Sequence, residues 1–110
     1  MDPVVMLTAG QRAAELALAK AGLTPDVVDR YEFAEAFSAL CVKFMWDLGV
    51  SDERFNVMGG TMALGHAFGA TGAVLTLNLL DALEQCHGRY GLVAVSGAAG
   101  LGVATVIERV

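Results

Sequence analysis

The segment 73–80 constrains this chain most, because only Thr76 and Asn78 interrupt an apolar surface that runs nearly all the way round a helix. A helix of that kind is expected to be buried on most sides, so the fold must supply layers to cover it. The chain has 110 residues, 55% of them apolar, which is enough for one domain with its own core. Seven basic against twelve acidic residues give a net charge of -5. No basic run is present, so nucleic acid and anionic membrane are not expected as partners. Cys41 and Cys86 lie far apart and fit neither a disulfide scaffold nor a CxxC site, which points to a reducing cytoplasm. The N-terminus has no basic leader pattern, and no stretch approaches the length of a membrane span.

Residues 11–21 have helix composition and Gly22 stands where a left-handed cap belongs. Thr24 and Pro25 give a second start signal for a short helical turn, and residues 30–34 read as a strand. From residue 35 or 36 to about 48, the positions Phe37, Leu40, Cys41, Phe44, Met45 and Leu48 follow amphipathic helical spacing closed by Gly49. A glycine-punctuated segment, mostly loop, leads into a helix from residue 69 or 70 to about 85. Two Val-rich segments, 90–96 and 101–107, flank the small-residue turn Gly97-Ala98-Ala99-Gly100 and predict an antiparallel hairpin. The expected class is α/β, a layered mixed sheet with helices on both faces and a buried central helix.

Several segments could carry chemistry. The run Gly65-His66-Ala67-Phe68-Gly69-Ala70-Thr71-Gly72 opens a helix, so its free N–H groups could meet an anion or a thioester oxygen, or could simply make a tight connection. It has neither the GxGxxG spacing of a dinucleotide site nor the GK[ST] of a P-loop. His66, set among glycines at a loop-to-helix junction, is placed to exchange protons near neutral pH, while His87 suits a helix C-terminus. Ser96 ends a strand, but Ala94-Val95-Ser96-Gly97-Ala98 lacks the GxSxG pattern of a hydrolase elbow. Glu35 is a candidate carboxylate at a strand-to-helix junction, and Cys41 reads as a small core residue. Neither histidine has the companion ligands of a metal site.

Taken together, three motifs in order resemble the thiolases, the acyltransferases that form and cleave acyl-coenzyme A thioesters. The NEAF motif of that family stands as Ala34-Glu35-Ala36-Phe37. Its NxNGGxxAxGHPxGxxG motif runs over 56–72 with Asn56, Gly59, Gly60, Ala63, Gly65, His66, Gly69 and Gly72 in register, and its CxGGGxG motif runs over 96–102. The resemblance covers essentially the whole chain and implies the C-terminal domain of a thiolase, with one helix sandwiched between two halves of the enzyme. It implies that the N-terminal half with the acylated cysteine, and the first strand of the domain, lie outside this sequence, so that a partner chain or a homo-oligomer completes the enzyme.

By the same resemblance His66 is the histidine that activates the nucleophile and holds the thioester oxygen, and the backbone at Ala98 and Gly65 belongs to the oxyanion and substrate contacts. Ala34 replaces the asparagine that fixes an oxyanion-hole water, Met58 replaces the second asparagine of NxNGG, and Ala67 replaces the proline after the histidine. Ser96 stands in place of the second catalytic cysteine, and a hydroxyl is a far weaker acid than a thiol. Coenzyme A thioesters are the implied substrates, with no resident cofactor. Three readings follow: an acyltransferase subunit completed by a partner's cysteine, a degenerate subunit that binds acyl-CoA or completes a partner's fold without catalysis, or a truncated fragment with no independent role.

Overall fold

A computed structural model describes residues 7–110. Helix α1 spans Ala9–Ala21, strand β1 Arg30–Phe33, helix α2 Ser38–Leu48, the short helix α3 Thr61–Leu64, helix α4 Thr71–Cys86, strand β2 Tyr90–Gly97 and strand β3 Leu101–Glu108. The expected order of helices and strands is found. Gly22 at φ 72° and Gly49 at φ 69° close α1 and α2 in the left-handed conformation that glycine adopts without a Cβ penalty.

The three strands lie in the order β1-β2-β3. β1 runs parallel to β2, pairing Arg30 with Gly91 through Phe33 with Ala94. β2 and β3 form the expected antiparallel hairpin, from Tyr90 opposite Glu108 to Gly97 opposite Leu101. Because alternate strand residues face opposite ways, Tyr31, Phe33, Leu92 and Ala94 pack with α1 and α2, whereas Ala34 and Val93 pack with α4. The sheet is therefore mixed and has helices on both faces. Two glycines let the helices come close. A Cβ on Gly102 would lie 2.4 Å from the Ala9 backbone of α1, and one on Gly91 would lie 2.8 Å from Leu79 of α4.

Two expectations need correction. Helix α2 begins at Ser38 and not at residue 35 or 36, because the Glu35 amide donates to Thr61 Oγ1 at 2.7 Å and its carboxylate accepts from the Met62 amide at 3.3 Å. Glu35 thus serves the start of α3 and cannot join the first turn of its own helix. The buried central helix is the second. Within the described residues α4 buries one stripe, Thr71, Leu75, Leu79, Ala82 and Leu83, against the sheet. Leu77 and Leu80 stay exposed because the sheet lies on one side of the helix only.

Candidate functional site

The glycine-rich connection is held at the end of β1 by Asn56. Its amide donates to Tyr31 O, its side-chain Oδ1 accepts from the Phe33 amide at 2.9 Å, and its Nδ2 donates to Phe33 O at 3.1 Å. The side chain thereby continues the strand pairing and fixes where the loop departs. Glu35 and Thr61 then anchor α3, and Gly60 leaves the room, since a Cβ there would overlap the Glu35 carboxylate. Gly65, at φ 93°, turns the chain directly before His66.

His66 Nδ1 lies 2.7 Å from Thr71 Oγ1, the first residue of α4. Its ring meets the Phe68 ring at 5.1 Å between centroids and 87° between planes. Together with Leu7, Ala36, Phe37, Val95, Ser96 and Gly97, these two rings line a cleft of about 590 Å³. The glycine loop and the end of β2 meet there, although 30 residues of sequence separate His66 from Ser96.

The other sequence candidates are distributed differently. Ser96 faces the cleft, and its hydroxyl is committed to α1: it accepts from the Gly10 amide at 2.9 Å and donates to Leu7 O. It supplies the helix start with a side-chain partner that Thr8, which makes no capping hydrogen bond, does not. Ala98 opens the turn between β2 and β3, in which Ala99 takes a left-handed φ of 61°. Ala34 is 2% exposed and packs against Leu75, Leu79, Leu83 and Val93 under α4. Cys41 is buried in the α2 core, where desolvation and then the Glu35 charge push its thiol up to about 12, away from thiolate chemistry. His87 takes the left-handed position after α4, at φ 55°.

Glu32 carries no sequence signal of its own and is the most unusual ionisable group. It is 1% exposed, it is in register with Val93 on the α4 side, and neither carboxyl oxygen has a hydrogen-bond partner among the described residues. Desolvation, and secondarily the nearby Glu35 charge, push it up to about 8.

Residues 1–109 match the family model for the thiolase C-terminal domain. The chain belongs to the thiolase family. It is 40% identical over 112 aligned residues to 3-ketoacyl-CoA thiolases of Enterobacter sp. (strain 638) and Citrobacter koseri, and 39% identical to that of Salmonella typhimurium. Each alignment takes in 99% of this chain and 29% of the relative, so the chain spans less than a third of the thiolases it matches. No helix among the described residues is long and apolar enough to cross a membrane. This thiolase domain brings His66 and the end of β2 to one apolar cleft.

Proposed function

We propose that this chain is the C-terminal part of a thiolase-type acyltransferase acting on acyl-CoA thioesters, completed by a chain or segment that supplies the nucleophilic cysteine. The observation that carries this reading is His66, presented in an apolar cleft with one ring nitrogen already engaged. In the reaction, the partner's thiolate attacks the thioester carbonyl carbon, the C–S bond to coenzyme A breaks, and the acyl group passes to the cysteine. Coenzyme A leaves as the thiolate and takes up a proton. His66 would stabilise the charge that builds on the carbonyl oxygen, assisted by backbone N–H groups of the Ala98 turn and the Gly65 loop. With Cys41 and Cys86 both free, the setting that suits the chain is the reducing cytoplasm.

The test is His66→Ala in the assembled complex, followed by thioester turnover. Loss of an oxyanion donor typically costs about 100 to 1,000-fold. Unchanged turnover would remove His66 from the chemistry and this reading with it.

Ser96 and Ala34 favour a second reading, a subunit that keeps the cleft but not the reaction. The Ser96 hydroxyl is used in holding α1, and Ala34 has become a core residue. Acyl-CoA that binds the complex, measured by calorimetry, without detectable turnover would select it. Robust turnover excludes it.

A further inference from the structure

Thr71 is 1% exposed, and the one side-chain partner of its hydroxyl among the described residues is His66 Nδ1. A buried hydroxyl hydrogen left without an acceptor is costly. A neutral imidazole has one nitrogen that accepts and one that donates, and whichever bond one nitrogen makes decides the state of the other. If Thr71 O–H donates to Nδ1, the ring proton must sit on Nε2, the nitrogen on the far side of the ring from Thr71.

Phe68 supplies the second constraint. It holds a left-handed φ of 36°, unusual for a bulky residue, and 82% of it is exposed. It opens the helical turn Phe68–Ala70 that leads into α4. Its ring stands edge to face with His66 on the same cleft wall. Strained backbone of this kind clusters at ligand-binding sites.

We propose that Thr71 is the positioning residue of His66: its hydroxyl donates to Nδ1, places the ring proton on Nε2, and with the Phe68 ring directs that N–H into the cleft. With its ring neutral, His66 is then a hydrogen-bond donor to whatever oxygen enters the cleft. The thioester reading enters only in what that N–H would meet, a carbonyl oxygen gaining negative charge.

The experiment is nitrogen-15 NMR of the imidazoles in the full chain, at a pH where both rings are neutral, with His87 as the internal reference. The parent should show His66 as a single tautomer with Nε2 protonated. Thr71→Val should lose that preference and show an average of both tautomers, and Thr71→Ser should restore the parental pattern. Phe68→Ala should keep the tautomer and broaden the ring signals through lost orientation, while Phe68→Leu should broaden them less. A parent ring protonated on Nδ1 overturns the proposal even if Thr71→Val fails to fold. So does a folded Thr71→Val chain with the parental tautomer. Neither result depends on turnover, so the proposal and the acyltransferase reading can fail separately.

Discussion

The two faces of the sheet are finished to different degrees. Against α1 and α2, twelve buried residues among those described form one cluster, with Phe44 at its centre meeting the rings of Tyr31, Phe33 and Phe55 at 5.8, 4.9 and 5.6 Å. Against α4 the cluster among the described residues has Ala34, Leu75, Leu79, Leu83 and Val93. That side also carries the unpaired Glu32 carboxyl, the exposed Leu77 and Leu80, and the exposed Leu101 and Val103 of β3. Stability therefore resides mainly on the first face. The face that bears the histidine loop leaves apolar surface uncovered, as the completing chain or segment proposed above would require.

The largest effect should come from Phe44→Ala. Removing a fully buried aromatic ring costs about 3 to 5 kcal/mol, a large share of a small domain's stability. Leu79→Ala, in the smaller cluster, should fall at the low end of its class, about 2 kcal/mol, because neighbours there can close over the space. Urea midpoints measure both. Equal losses would break the contrast between the faces.

Glu32 gives the next effect and depends on pH. Its folded-state value is raised to about 8 from 4.5, so the folded chain holds a proton that the unfolded chain has released. Its contribution is intact below about pH 4.5, declines as pH rises, and levels off above about pH 8. Each unit within that window costs about 1.4 kcal/mol. Glu32→Gln should flatten this slope and raise stability at pH 8 by about 1 to 3 kcal/mol, less than the whole window because the amide is also buried without partners. At pH 4.5, where the parent carboxyl is neutral in both states, the unpaired amide should leave the variant the less stable of the two, by about 2 to 4 kcal/mol. Parallel stability curves from pH 4.5 to 8 would mean that the carboxyl is not held neutral.

The first face was largely legible in the sequence and the second was not, for physical reasons. The spacing Phe37, Leu40, Cys41, Phe44, Met45, Leu48 and the closing Gly49 specify α2 because its apolar stripe and its partners lie in the same chain. The apolar outline of α4 is equally visible, but periodicity reports what a helix can bury and not whether the covering surface is present. Arg30-Tyr31-Glu32-Phe33 alternates polar and apolar, which reads as a strand with one wet face. Here α4 covers that face, and Glu32 is enclosed. The motif located Ser96, yet its bonds to Gly10 and Leu7 join segments more than 80 residues apart, a pairing that no local pattern carries.

Ser96→Ala separates structure from chemistry at a smaller scale. It deprives the Gly10 amide and the Leu7 carbonyl of their shared partner, and should cost about 1 kcal/mol while leaving acyl-CoA affinity of the complex unchanged. A drop in affinity without a drop in stability would return Ser96 to the site.

The smallest effect belongs to Leu77→Lys. The leucine is 63% exposed on the outer side of α4, and both residues favour helix, so the isolated chain should change by no more than about 0.5 kcal/mol. Association is the measurement that discriminates. If the outer side of α4 is where the completing chain sits, a lysine there must give up its hydration in the contact, and binding should weaken although the urea midpoint does not move. A variant that loses stability by itself would show that the helix is already covered within this chain, and the two faces would then be alike.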